Sequence, residues 1–210
     1  MARYTQADCR LCRRIGDKLM LKGERCFTAK CAVERRNVPP GHNATSKRRP
    51  KKSDRGIQLH EKQRARYSYG MMERQFIKFF SEAERLPGVT GDNLMILLER
   101  RLDNVVYRLG FGDSRDQARQ LVRHGHFKVN DRRADVPSYM VKAGDVITWR
   151  PSSTKTEYYK TLAQEIGART VPGWLALDKE KMTGKVLSLP APADIEVKFD
   201  AKVIVEYYSR

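Results

Sequence analysis

Between Leu94 and Leu109, apolar side chains recur at steps of three and four (Leu94, Leu97, Leu98, Leu102, Val105, Val106, Leu109) before Gly110 closes the run. That period predicts one amphipathic helix whose polar face carries Arg101 and Arg108, seven residues apart and so nearly aligned. After the short link Phe111-Gly112-Asp113, Ser114 and Gln117 form a capping box that starts a helix at Arg115, and Gly125 is placed to end it. Arg115, Arg119 and Arg123 share one face of that helix, while Ala118, Leu121 and Val122 form an apolar stripe on the other. An outward arginine surface is the expected consequence. The period then falls to two: His126-Phe127-Lys128-Val129 reads as a strand, Asn130-Asp131 as a turn, and Val146-Ile147-Thr148-Trp149 as a second strand after the Gly144-Asp145 turn.

Elsewhere the pattern is less dense. Residues 57–69 and 73–85 read as helices, the second with Phe76, Ile77, Phe79 and Phe80 as a bulky apolar surface suited to a core. Tyr67 and Tyr69 flank the break at Gly70, and with Arg64 and Arg66 beside them they are candidate RNA contacts. Residues 156–166 read as a helix, residues 173–177 and 185–189 as paired strands, and Pro190-Ala-Pro192 as a linker. In the last stretch Val203, Val205 and Tyr207 alternate, which predicts a β-rich tail docking on the body.

Charge narrows the class. Forty-two Lys and Arg against 25 Asp and Glu leave +17 over 210 residues, which favours a polyanionic partner, nucleic acid before acidic membrane. Residues 1–66 hold 19 of the basic and 6 of the acidic side chains, a net of +13, and leave +4 for the remainder. No apolar run approaches the roughly 18 residues of a membrane span and no signal peptide is visible, so a cytoplasmic protein is expected. Residues 37–55, with Lys47-Arg48-Arg49-Pro50-Lys51-Lys52, read as an extended linker whose charges suit phosphate contact, or else as a solvated arm.

Cys9-x-x-Cys12 and, thirteen residues on, Cys26 and Cys31 give two thiol pairs. In a reducing compartment that spacing favours thiolate ligation over disulfides, with Zn2+ held by four cysteines in a structural site. An iron-sulfur cluster uses the same ligands. Arg10, Arg13, Arg14, Lys18, Lys22 and Arg25 lie among them, so a metal would fix a basic knob too polar to fold on burial alone.

The run Arg101-Leu-Asp-Asn-Val-Val-Tyr-Arg-Leu-Gly, with Ser114-Arg, Ala118-Arg-Gln-Leu-Val, His124-Gly-His, Val129-Asn, Pro137-Ser-Tyr and Gly144-Asp, resembles the S4 RNA-binding domain. The flanks, Glu61-Lys-Gln with Arg66, Tyr69-Gly, Glu73-Arg-Gln-Phe, Gly91 and Ile204-Val-Glu-Tyr-Tyr-Ser-Arg, extend the resemblance to the bacterial small-subunit ribosomal S4 family. Departures are local: Asp131 stands where that family usually has glycine, and Gly41-His-Asn replaces its Gly-Gln-His-Gly.

The resemblance implies an α+β chain. Its expected parts are a metal-binding basic segment (1–46), a helical domain (47–98), the S4 domain with a β extension (99–189) and a C-terminal tail (190–210). It further implies primary binding to 16S ribosomal RNA, nucleation of subunit assembly, contact with ribosomal protein S5 and other small-subunit proteins, influence on translational accuracy, and messenger RNA near the entry channel beside Arg48, Arg49, Lys51 and Lys52. The full set of candidate RNA contacts adds Arg3, Arg10, Arg13, Arg14, Arg48, Arg49, Lys51, Lys52, Lys62, Arg64, Arg66 and Tyr69 to Arg101, Arg108, Arg115, Arg119, Arg123, His124 and His126.

The rival is an RNA-modifying enzyme or regulator using the same module. No Ser/His/Asp set, phosphate-cradling glycine loop or acid-base pair supports catalysis, and His124 and His126 have no third partner in sequence. A DNA-binding helix-turn-helix protein fits the two central helices but leaves the cysteine cluster unexplained.

Overall fold

The computed structural model describes residues 4–41, 52–195 and 199–209. Its helices are α1 (Cys9–Ile15), α2 (Ala32–Arg35), α3 (Asp54–Ser68), α4 (Glu73–Arg85), α5 (Thr90–Glu99), α6 (Leu102–Arg108), α7 (Arg115–Arg123), α8 (Glu157–Glu165) and α9 (Ala201–Tyr208). The strands are β1 (Phe127–Val129), β2 (Arg132–Ala134), β3 (Val146–Trp149), β4 (Leu175–Asp178) and β5 (Thr183–Val186). They form one antiparallel sheet in the order β2-β1-β3-β5-β4, in a mixed helical and sheet chain. The chain divides into two compact units, Met1–Leu94 with Val197–Arg210, and Met95–Glu196.

In the first unit α3 begins at its Ser53 cap, whose Oγ accepts the Gly56 N–H at 3.2 Å, three residues before the apolar period starts. Phe76, Phe79 and Phe80 of α4 are buried, the first and last against Tyr208 of α9, and Ile77 points to solvent. The C-terminal segment is therefore a helix, not the β-rich tail expected from the alternation of Val203, Val205 and Tyr207. Asp200 Oδ1 caps it by accepting the N–H groups of Lys202 and Val203, and Ala201, Ile204 and Tyr208 recur at three and four on its inward face, Ala201 beside Gly91 of α5 and Tyr208 against Phe76 and Phe80 of α4.

The second unit corrects the single long helix expected over Leu94–Leu109. Arg101 takes φ −67°, ψ 136°, which separates α5 from α6. The break is held from outside: the Leu102 and Asp103 N–H groups, orphaned at a helix start, donate to the Tyr139 and Pro137 carbonyls at 2.9 and 3.2 Å, and the Val141 N–H donates to Arg100 O at 3.0 Å. Apolar periodicity continues across the break because both helices bury the same kind of face.

α7 starts where its capping box places it, with the Gln117 N–H 3.3 Å from Ser114 Oγ, although Gln117 Oε1 accepts from the Asp113 N–H rather than from its cap. Asn130 and Asp131 both have positive φ (48° and 63°), as a tight primed hairpin turn requires. The strand that the turn leads into is β2, which no period-two run announces.

Phe127, Val129, Ile147, Trp149 and Val186 face the core shared with α6, α7 and α8. Gly184 is required on that face, because a Cβ there would stand 2.3 Å from Leu109 Cδ1. Gly184→Ala should therefore lower unfolding stability by about 1–3 kcal/mol, the usual range for overpacking, as read by urea denaturation.

Candidate nucleic-acid interface and cysteine cluster

The outward arginine surface expected along α6 and α7 does not exist in that form. Arg101, fully buried, binds Asp103 through Nε and Nη2 at 3.1 and 2.7 Å, and Arg119 Nη1 reaches the same carboxylate at 2.8 Å. Arg108 grips Glu99 through Nε and Nη2 at 3.0 and 2.8 Å. Arg115 Nε donates to Asn104 Oδ1 at 2.8 Å, its guanidinium lies 4.5 Å from the Tyr107 ring centroid, and Asn104 Nδ2 donates to Glu99 Oε2 at 2.6 Å. Four guanidinium groups thus surround two carboxylates in the interior. The pattern within α7 hides this because the acids lie on other helices. Of the five arginines only Arg123 is exposed.

The exposed cationic surface lies one step further on, around Gly125. Arg123 and His124 close α7, and the His124 and His126 rings stand 6.0 Å apart. His126 Nδ1 lies 2.9 Å from Ser153 Oγ, and burial holds this imidazole below its ordinary range, reinforced by His124 and Arg150. Arg150 Nη1 donates to the Gly125 carbonyl at 3.1 Å. Arg133 crosses the same residue so closely that a Cβ on Gly125, which sits at φ +72°, would stand 2.8 Å from its Nε. Arg133 and Arg150 carried no signal as a pair in the sequence, since only the sheet register brings both to Gly125.

In the first unit Arg10, Arg14 and Lys52 are exposed, and Arg13 Nε donates to Val38 O at 2.8 Å. Two candidate RNA contacts are interior instead. Lys62 is 3% exposed, binds Glu73 Oε1 at 2.6 Å and lies 5.0 Å from the Tyr207 ring centroid, and Tyr69, also 3% exposed, meets Phe199 edge-on. Both serve the packing of α3, α4 and α9. Arg64 is half-buried and paired with Asp17, and Arg66 lies 3.5 Å from Glu73 and 4.8 Å from the Tyr67 ring. Arg3, Arg48, Arg49 and Lys51 lie outside the described residues.

Cys9, Cys12, Cys26 and Cys31 line one small cavity with Lys18, Lys22 and Arg25, and no disulfide joins them. It leaves about 10 Å³ for the centre of a water-sized sphere, room for one ion and not for an organic ligand. Burial pushes the Cys12 thiol up to about 11, and the other three cysteines add to this. Among the described residues no three Cys, His, Asp or Glu side chains stand ready-converged on a metal position. None of the described helices is long and apolar enough to cross a membrane.

Residues 3–99 match the ribosomal protein S4/S9 N-terminal domain and residues 100–147 the S4 domain, which makes the chain a ribosomal protein in class. It is 59% identical to small ribosomal subunit protein uS4 of Dehalococcoides mccartyi (strain CBDB1) and 53% identical to that of Pelotomaculum thermopropionicum, each over 100% of both chains. The chain belongs to the uS4 family of small ribosomal subunit proteins. That family is structural and non-enzymatic, so the reading as an RNA-modifying enzyme falls.

Proposed function

We propose that the chain is a structural constituent of the small ribosomal subunit that binds 16S ribosomal RNA early and nucleates assembly of the subunit body. It works in the ribosome, in the cytoplasm. The observation that carries this is 59% identity to a small-subunit protein over the full length of both chains. In this reading the RNA contacts are Arg123, His124 and His126 with Arg133 and Arg150 around Gly125, and Arg10, Arg14 and Lys52 of the basic first unit. Buried Arg101, Arg108, Arg115 and Arg119 act differently. Their excess over Glu99 and Asp103 holds positive potential behind the surface and fixes the helices that present it. Neighbouring proteins, S5 among them, messenger RNA near the entry channel, and an influence on translational accuracy complete the proposal.

The four cysteines fit one Zn2+, since they share a buried cavity of ionic size in a basic segment with little core of its own. Bound metal would supply a structural crosslink between α1 and the segment that leads into α2. An iron-sulfur cluster is the other occupant this donor set suits.

For the RNA reading, Arg123→Gln with His124→Gln should weaken binding to 16S ribosomal RNA about tenfold or more, since charge-assisted hydrogen bonds each contribute about 1.5–3 kcal/mol. Filter binding against random-sequence RNA measures it. Unchanged affinity at both RNAs would remove this end of α7 from the interface.

A further inference from the structure

The strand pleat gives the sheet two faces. Phe127, Val129, Ile147, Trp149 and Val186 point to the helices, so Lys128, Arg133, Thr148 and Lys185 lie on the opposite face. The register sets Lys128 directly opposite Arg133 on one side and Thr148 on the other. Like charges placed directly across a strand pair destabilise it. Little offsets the repulsion here: among the described residues neither Lys128 nor Lys185 has an ion pair, and the Arg133–Asp135 contact is 3.4 Å between groups 57% and 49% exposed. A pair exposed to that degree contributes little in water. Composition does not force the arrangement either, because the chain beyond residue 66 carries a net charge of only +4.

We propose that this outward sheet face is an RNA contact that grips the sugar-phosphate backbone of a double helix. The proposal rests on the RNA-binding reading and extends it from the rim around Gly125 onto the sheet. The anion relieves the Lys128–Arg133 repulsion, which is why the pair is tolerated. Arg133 on β2 and Lys185 on β5 are three strand spacings apart, roughly 14 Å, so a single phosphate does not meet both and an extended array of phosphates does. The strands offer no aromatic side chain on this face: Thr148, Thr183, Val146 and Ala176 lie between the cations, and the one carboxylate, Asp178 at the end of β4, accepts the Glu180 and Lys181 N–H groups of the turn that follows. Unpaired bases are held by stacking on aromatic rings, whereas duplex RNA is held by its shape, phosphates and 2′-hydroxyls, which lysine, arginine and threonine can meet.

The test uses the full chain carrying Lys128→Gln, Arg133→Gln and Lys185→Gln together, with a short perfect RNA duplex and a uridine homopolymer as probes. Duplex affinity should fall about tenfold or more and the plot of log affinity against log salt should flatten by about 2–3, three phosphate contacts at about 0.7–0.9 each. Homopolymer binding should change less than about twofold, within the scatter of a non-stacking face. Lys128→Thr alone should raise the thermal midpoint of the free protein while weakening the duplex, a pairing that a purely structural lysine would not produce. Wild-type duplex affinity and slope in the triple variant would overturn the proposal, as would equal loss on both probes. So would intact RNA binding with a neighbouring protein released from assembled subunits, which would make the face a protein contact. If the Arg123/His124 variant loses 16S RNA while the sheet variant does not, only the sheet proposal fails. If the wild-type chain itself does not distinguish 16S from random RNA, the reading beneath it fails too.

Discussion

Asp103→Ala should lower the stability of the second unit by about 3–5 kcal/mol, a large share of the roughly 5–15 kcal/mol that holds a domain folded. Asp103 accepts from Arg101 twice, from Arg119 and from the Asn104 N–H, all in the interior. Removing the carboxylate strips a shared counter-charge from two buried guanidinium groups, and it is this uncompensated burial that makes the loss large. Asp103→Asn should recover part of it, because an amide oxygen still accepts but no longer neutralises. Both tryptophans, Trp149 and Trp174, are buried in this unit, so urea unfolding followed by tryptophan fluorescence reads it selectively. An exposed control in the same unit, Lys155→Ala, should shift the curve by less than about 0.5 kcal/mol. An Asp103→Ala midpoint equal to wild type would mean that water already solvates the network.

That network also explains what the sequence could and could not disclose. Local signals gave accurate boundaries wherever the deciding chemistry sits within a few residues: Ser114 starts α7, the Asn130-Asp131 turn closes a hairpin, and the phenylalanine spacing of α4 marks its buried side. They failed where the partner is remote. The i, i+4 arginines of α7 look identical whether they meet water or Asn104 and Asp103, and Lys62 looks like a surface lysine until Glu73 and Tyr207 are placed around it. The break at Arg101 is imposed by carbonyls of Pro137 and Tyr139, more than thirty residues downstream. In α9 an eight-residue stretch satisfied two periods at once, and the Asp200 cap decided between them. The cysteine spacing pointed to one shared site, and the four thiols do line one cavity, although among the described residues no three of them converge on a metal position.

Chelation should act as strongly on the first unit as Asp103→Ala does on the second. Folding of small metal-ligated segments is driven largely by the metal, with apparent binding free energies of about 10–16 kcal/mol for structural zinc. The buried set around the cysteines is small: Leu11, Ile15, Leu19 and Leu21 with Tyr67. Protein purified without chelator should carry about one zinc per chain, and a strong chelator under reducing conditions should open residues 4–41 to protease within the otherwise resistant chain. Iron with visible absorbance would assign the cluster instead. The pH dependence gives an independent check with opposite signs. Without metal the Cys12 thiol is raised from 9.0 to about 11 in the folded state. Its contribution is then present below pH 9 and lost as pH rises through about 11, because the unfolded chain ionises first. With metal bound the thiols are already deprotonated, so protection should persist through that window and fail instead on acidification, when protons displace the ion. Protection mapped by limited proteolysis across both ranges decides the matter. Chelator-resistant protection that is lost only above pH 9 would show that packing alone holds the four thiols together.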